Sequence, residues 1–352
     1  MTKIVTIDDV KAIINKVGIL KFFRELVLQL ESDFKRWDEF KKSPRHAIHY
    51  PQGVMELMPT SDDQEYAFKF VNGHPGNPKN NKLSIVALGL FAEVHDGFPL
   101  MVSEMTLLTA FRTAATSALV SSYLAKQSSK SMGIIGTGSQ GEFQVLAHHA
   151  QLGINQIKYF DIDPAAMDKF ANNLSDADLE LIPCASAEET LKDVDIITSA
   201  TANKERLKII DNSWVTDGMH INGIGGDCPG KTELEAPLLE RAKIVIEFFE
   251  QSIIEGEIQD LDENAVYAEI WEIAQGKKPG RENDSEVTLF DSVGFAIEDF
   301  SALTFLREQA LSHGIYEELD LVAALQNPRN LFGLLRPANH PNGRAQQATT
   351  AA

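Results

Sequence analysis

Cysteine is nearly absent from this chain of 352 residues, which has two, Cys184 and Cys228. Two thiols are too few for a disulfide framework or a cysteine-rich zinc site, so the composition favours a reduced, cytoplasmic protein. Long apolar runs are also missing. The longest, residues 85–92, falls far short of the ~20 residues that a membrane-spanning helix needs, and we expect no membrane segment.

Basic residues are few relative to acids. The chain has 32 lysines and arginines against 51 aspartates and glutamates, a formal charge of −19. Such a surface repels phosphate backbones and anionic lipids, which argues against nucleic-acid and membrane partners. Hydrophobic residues make up 43% and charged residues 24%, which excludes a mainly disordered or collagen-like chain. The nine histidines show no metal-ligand spacing, and we expect no metal site.

The first ~100 residues mix helix and strand. Apolar residues at helical spacing predict an amphipathic helix over 17–40. Tyr66, Phe68 and Phe70 share one face of a predicted strand, and Lys69 points from the other. His95-Asp96-Gly97 is typical of a hairpin between two further strands. A long helix is then predicted from Ser103 to about 126, with Ser103 as its N-cap.

From residue 130 the pattern changes to short apolar strands that alternate with helices. This order predicts an α/β fold with a parallel sheet covered by helices on both faces. A last helix is predicted from about 291 to 312, and residues 315–340 are expected to pack back on the first part.

A complete G-x-G-x-x-G, residues 136–141, follows the first strand of this part and opens a helix. Asp161 ends the next strand, 20 residues after Gly141. Together these features indicate dinucleotide binding, because glycines let the backbone approach a pyrophosphate at the helix N-terminus. The alternative is a plain strand-to-helix turn.

Asp161 points to NAD rather than NADP, because its carboxylate accepts from ribose hydroxyls and repels a 2′-phosphate. Asp163 is the rival acid, although its place before Pro164 is typical of a helix cap. Thr201 follows a strand whose carboxyl end faces the expected cofactor crevice. It could equally be a loop threonine that caps something local.

The segment 222–233 ends a core strand and surrounds Asp227 with glycines. Glycine here allows the backbone to approach the nicotinamide half of the cofactor. Asp227 is a candidate for the chemistry or an ordinary turn aspartate. Cys228, beside it, is a candidate nucleophile, but a small packing residue suits its surroundings better.

Six segments resemble the ornithine cyclodeaminase/μ-crystallin family, and within it the bacterial ornithine cyclodeaminases. They are Glu56–Pro59, Lys69–Asn77, Arg112–Thr116, Gly136–Gly141, Gly225–Leu234 and Phe290–Ala296. The resemblance implies an amino-acid-metabolising enzyme that converts L-ornithine to L-proline with loss of ammonia. NAD would accept a hydride and return it within one turnover.

The resemblance also implies site residues. Asp227 is the expected general acid/base, and Glu56 the catalytic acid near the distal amine of the substrate. Arg45, Lys69 and Arg112 match cations that bind the substrate carboxylate. The implied cofactor positions are Ser84, Arg112, Gly136, Gly138, Ser139, Gln140, Gly141, Asp161, Thr201, Ile224, Gly225, Gly226, Lys231 and Ser292.

From the residues alone, these side chains have ordinary explanations too. Lys69 could be a solvent lysine on a strand, and Arg112 could pair with Glu104 or another acid. Arg45 is unremarkable in its loop, and Glu56 could protect an edge strand.

We therefore predict a Rossmann-type doubly wound NAD-binding domain over 116–314. A discontinuous α+β domain over 1–115 and 315–345 would bind substrate and form a homodimer, followed by a disordered tail at 346–352. Alternative functions are a cyclic-imine reductase, a lysine cyclodeaminase and a non-enzymatic binding protein.

Overall fold

The computed structural model describes residues 1–201, 208–226 and 228–336. Asp227 and the predicted tail at 346–352 lie outside the described residues, as does 337–345, the end of the second segment of the predicted α+β domain. The described strands form two sheets, one mixed and one wholly parallel. No helix in the described part of the chain is long and apolar enough to cross a bilayer.

The mixed sheet, sheet A, has the strand order β15-β1-β6-β5-β4-β3-β2. Only β1 and β6 pair in parallel; the other neighbours are antiparallel. The strand bounds are β1 (Thr2–Val5), β2 (His46–Tyr50), β3 (Gly53–Ser61), β4 (Glu65–Gly73), β5 (Ala87–Glu93), β6 (Pro99–Glu104) and β15 (Glu317–Leu319). The β5–β6 hairpin predicted at 95–97 is confirmed.

The parallel sheet, sheet B, has the order β13-β12-β14-β11-β10-β7-β8-β9. Its bounds are β7 (Ser131–Ile135), β8 (Gln156–Phe160), β9 (Glu180–Pro183), β10 (Ile196–Ser199), β11 (His220–Gly223), β12 (Lys243–Ile246), β13 (Val266–Glu269) and β14 (Thr288–Asp291). The central strands are buried on both faces, as a sheet covered by helices requires. The parallel doubly wound sheet is confirmed; β13 was not expected.

Ten α-helices in the described residues cover the sheets. They are α1 (Ile7–Val17), α2 (Ile19–Lys35), α3 (Thr106–Leu124), α4 (Gly141–Leu152), α5 (Pro164–Asn173), α6 (Ala187–Leu191), α7 (Ala236–Arg241), α8 (Phe249–Glu255), α9 (Ile270–Ala274) and α10 (Ala296–His313). Helix α3 packs on β5 of sheet A and on β11 and β14 of sheet B, and α10 covers β3, β4 and β5. Helix α3 therefore connects the two sheets, and α10 packs on both sheet A and α3.

Two helix predictions need correction. Ser103 is not an N-cap: it lies in β6, paired with Gly89, and Glu104 Oε1 accepts the Leu107 N–H of α3 at 2.8 Å. Pairing with β5 keeps the chain extended past the predicted cap. The helix expected over 17–40 spans Ile19–Lys35. It begins only at Ile19 because Gly18 (φ 87°) separates α1 from α2.

Candidate active site

The glycine-rich loop after β7 leaves one side of its backbone open. Gly136 has φ 93°, and a Cβ there would lie 2.6 Å from the Ala200 carbonyl oxygen. Position 136 therefore requires glycine, because the chain after β10 passes so close to it. A Cβ on Gly138 would meet no atom within 4 Å, and one on Gly141 would touch Phe170 at 3.2 Å. The loop is thus tight against the sheet and helix α5 and open at Gly138.

Helix α4 begins directly at this open loop. No side chain of the described residues caps it, and the Gln140 side-chain oxygen is buried without a hydrogen-bond partner. Ser139 is exposed and Gln140 half-buried beside it. Uncapped N–H groups at a helix N-terminus attract an anion, so the loop fits a pyrophosphate.

Asp161 lies at the mouth of the same loop. Its Oδ2 accepts the Thr137 N–H at 2.7 Å, and its Oδ1 accepts the Asp163 N–H at 3.0 Å. Asp163 itself caps α5, with Oδ1 accepting the Ala165 N–H at 3.0 Å. The two acids therefore have different contacts: Asp161 bonds the glycine-rich loop, and Asp163 caps helix α5.

The neighbouring strand ends of sheet B hold the other candidate cofactor residues. Thr201 and the buried Lys231 follow β10 and β11, and Lys231 Nζ donates to the Thr201 carbonyl at 2.8 Å. Ile224 N–H bonds the Ser199 carbonyl at 3.2 Å, which places Gly225 and Gly226 beside the end of β10. Ser292 follows β14. All belong to the carboxyl edge of the parallel sheet, where ligands bind in such folds.

A buried group of charges joins sheet A to α3 and α10. Lys69 is 1% exposed, and its Nζ bonds Asp299 Oδ1 at 2.8 Å. Arg112 donates to Glu298 Oε2 at 2.6 Å and to Asp299 Oδ1 at 3.1 Å. Lys69 is thus no solvent lysine, and Arg112 pairs with two acids of α10 rather than with Glu104.

Arg45 connects this group to the parallel sheet. Its guanidinium lies 3.4 Å from Glu56 and 3.3 Å from Glu255, and donates to the Gly294 carbonyl at 2.7 Å. Gly294 has φ 79°, and a Cβ there would lie 2.7 Å from an Arg112 nitrogen. The loop after β14 therefore contacts both arginines, and it begins with Ser292, a candidate cofactor residue.

Burial shifts several pKa values here. Burial, helped by the charge of Arg112, lowers the pKa of Lys69 to about 8. Burial raises the pKa of Glu298 to about 8, although Arg112 opposes this. Glu247, which accepts the Ser292 hydroxyl at 2.7 Å, also has a raised pKa because it is buried. Such shifts concentrate at functional sites.

Two expected residues are not placed in this group. Ser84 lies in the loop before β5 of sheet A, where its carbonyl accepts the His74 N–H at 2.8 Å. Asp227 lies outside the described residues, between the buried Gly226 and the half-buried Cys228. In the described part of the chain no group of three or more His, Cys, Asp or Glu side chains could hold a metal ion.

Sequence reasoning missed the acids that pair with the cations, Glu255, Glu298 and Asp299. It also missed Glu247, which accepts hydrogen bonds from the loop after β14. One signal was available. Glu298-Asp299 is an acidic pair inside the apolar segment 295–306, and acids on a buried helix need partners.

The model of the ornithine cyclodeaminase/mu-crystallin family matches residues 8–314. The chain belongs to this family. It is 46% identical over 331 residues to an ornithine cyclodeaminase of Brucella suis, covering 94% of this chain and 92% of that one.

Two solved structures share the fold. A lysine cyclodeaminase, described with L-lysine, L-ornithine and L-2,4-diaminobutyric acid, has a TM-score of 0.89 at 26% identity and covers 94% of this chain and 98% of its own. An archaeal alanine dehydrogenase dimer with bound NAD has a TM-score of 0.84 at 32% identity and covers 91% of this chain and 99% of its own.

Proposed function

We propose that this family member is an ornithine cyclodeaminase, which converts L-ornithine to L-proline and ammonia. The observation that carries the proposal is the loop after β14, where Arg45 and Arg112 meet the carboxyl edge of sheet B. Cations for an amino-acid carboxylate therefore lie at the same edge as a glycine loop suited to a dinucleotide. The 46% identity to ornithine cyclodeaminase over 94% of the chain supports the same reaction.

NAD is the cofactor that the glycine loop fits. The uncapped start of α4 and the open side of Gly138 would hold the pyrophosphate, and Asp161 would hold the ribose. When bound, NAD supplies a hydride acceptor and later a hydride donor, so the overall reaction consumes none.

The substrate would lie between sheet A and the edge of sheet B. Arginine forms a fixed two-pronged donor for a carboxylate, and Lys69 adds a point charge. Asp299 and Glu298 hold Lys69 and Arg112 in place before substrate arrives. Glu56, a buried acid beside Arg45, is suited to the distal ammonium group.

Asp227 is the proposed proton carrier. The substrate amines must lose protons before a hydride can leave and before the ring can close, and a positioned carboxylate can take them. Glu56 is the second acid of the site, and a protein that only binds ligands has no need for such a pair.

The test is the stoichiometry of the reaction. Protein with NAD and L-ornithine should release one ammonia per proline with no lasting change in NADH absorbance. One-for-one consumption of NADH with a cyclic imine would identify a reductase instead. Faster turnover of L-lysine would identify a lysine cyclodeaminase, and binding without product a non-enzymatic protein.

We also propose that the protein is a homodimer formed through the outer face of sheet A. This face carries the apolar side chains Ile48, Tyr50, Met55, Leu57, Tyr66, Phe68, Phe70, Leu88 and Leu90. Several are largely exposed, for example Leu88 at 51% and Leu57 at 42%. A contiguous apolar face of this kind marks an interaction surface, and an NAD-bound relative of the same fold is described as a dimer.

A further inference from the structure

Three buried acids are connected in series behind the 224–234 loop. Asp291, at the end of β14, accepts the N–H of Glu257 at 2.9 Å and of Ile258 at 3.1 Å. Glu257 in turn accepts the N–H of Glu233 at 2.9 and 3.0 Å and of Leu234 at 3.0 Å. Asp291 and Glu257 therefore each hold the backbone of the next acid. We call Asp291, Glu257 and Glu233 the carboxylate series.

The last member reaches the end of β10. The Glu233 carboxylate accepts the hydroxyls of Ser199 and Thr201. The series thus runs from the end of β14 to the end of β10 along the carboxyl edge of sheet B. It links the two places where we expect the cofactor to be held, at Ser292 and at Thr201.

The adjacent glycines of the loop pack directly on this series. A Cβ on Gly226 would lie 2.7 Å from Glu257 Oε1, and one on Gly225 would lie 2.1 Å from Glu233 Oε2. Any side chain at either position would displace a carboxylate. The Gly-Gly pair therefore has a second role beside cofactor approach, because it makes room for buried acids.

Burying these carboxylates costs free energy, and the need to fill space behind the loop does not explain why charged side chains are used. Burial raises the pKa of Glu257 to about 7, although its hydrogen bonds from the Glu233 and Leu234 N–H groups oppose the rise. An apolar side chain would avoid this penalty. What the carboxylate adds is directional: it orients two backbone N–H groups.

We propose that Glu257 is a positioning residue for Asp227. It holds the loop on both sides of Asp227, through contact with Gly226 before it and through hydrogen bonds to Glu233 and Leu234 after it. The inference rests on the proposed function, in which Asp227 transfers protons. Glu257 itself need not touch the substrate.

The test is Glu257→Gln in the full chain with NAD, because the amide keeps the shape but turns one acceptor into a donor. A small displacement of Asp227 should lower kcat by about 10²-fold while the KM for ornithine changes less than about threefold. NADH affinity should stay close to that of the wild type. Gly226→Ala, which pushes on the same carboxylate, should give the same separation of kcat from KM.

Asp195→Asn is the matched control. The Asp195 carboxylate also accepts two backbone N–H groups, from Lys130 at 2.9 Å and Ser131 at 3.1 Å, but at the opposite edge of sheet B. It should lower the unfolding temperature and leave kcat unchanged. If Glu257→Gln also loses only stability, Glu257 is merely structural and the inference is wrong. A wild-type protein that forms no proline would instead overturn the proposed function.

Discussion

The two sheets contribute to the site in different ways. Sheet B presents strand ends, glycines and backbone N–H groups, and its strands are buried on both faces. Sheet A presents side chains from the middle of its strands, Glu56 on β3 and Lys69 on β4, while its other face is apolar and open. A parallel sheet that is covered by helices on both faces can offer a ligand only its edge. A sheet with one covered face can instead bury charged side chains along a strand.

The difference suggests separate roles for the two sheets, with sheet B binding the cofactor and sheet A binding the substrate. Backbone atoms at the edge of sheet B suit a cofactor that is the same in every turnover. Side chains on sheet A suit a substrate recognised by its charges, and α10 supplies the acids that hold them. The predictions below test this division.

Asp227→Asn tests whether proton transfer belongs to sheet B, and we expect the largest effect. Loss of a general acid/base should lower kcat by about 10²–10⁴-fold. NADH affinity, measured by fluorescence titration, should be nearly unchanged. Cys228→Ser is the neighbouring control and should keep near-native activity. A near-native rate of proline formation in Asp227→Asn would instead assign proton transfer to the acids of sheet A.

Lys69→Met tests whether sheet A recognises the substrate. Loss of a charge-assisted hydrogen bond should lower kcat/KM for ornithine by about 10²-fold. The pKa of Lys69 is lowered to about 8, so its positive charge is present below pH 8 and lost above it. Wild-type kcat/KM should therefore fall as the pH rises through 8.

The variant should lack this step, since the group that titrates is gone. Lys41→Met, which removes an exposed lysine, should retain the wild-type profile. An unchanged alkaline step in Lys69→Met would show that the substrate amines, rather than Lys69, cause it.

Leu88→Asp tests the open face of sheet A. A charge placed in a buried apolar contact should raise the dimer Kd by at least about tenfold. Sedimentation at several concentrations measures this directly. Leu28→Asp is the control, because Leu28 is 63% exposed but lies on α2. Equal behaviour of the two variants would exclude this face as the interface.

Asp161→Ala tests the edge of sheet B and should have the smallest effect. Loss of a ribose contact should weaken NAD binding by about tenfold, with ornithine KM unchanged at saturating cofactor. Asp163→Ala should instead destabilise the protein, by about 0.5–2 kcal/mol, because it removes the α5 cap. If Asp163→Ala weakens NAD binding more, the two roles are exchanged.

Local signals explain the predictions that hold. The parallel sheet follows from alternating strands and helices, and the α5 cap from Asp163-Pro164. Each signal lies within a few residues of the feature that it predicts. Ser103 failed as a cap because pairing with Gly89, a partner distant in sequence, overrides a local preference.

The charge partners could not be predicted in this way. Lys69 meets Asp299 across 230 residues, and Arg112 meets Glu298 across 186. A lysine on an alternating strand is exposed or buried according to what covers that face, and here α10 covers it. The same holds for Glu257, whose only local feature is an acid after Gly256.

The chain alone determines a family, a nucleotide loop and a set of candidate charges, because glycine turns, caps and strand periodicity depend on neighbours in sequence. Folding decides which charges meet and which are buried, and which glycines make room for them. Burial and pairing depend on contacts between distant segments, and those contacts exist only once helix α3 has packed on both sheets and α10 on sheet A and α3.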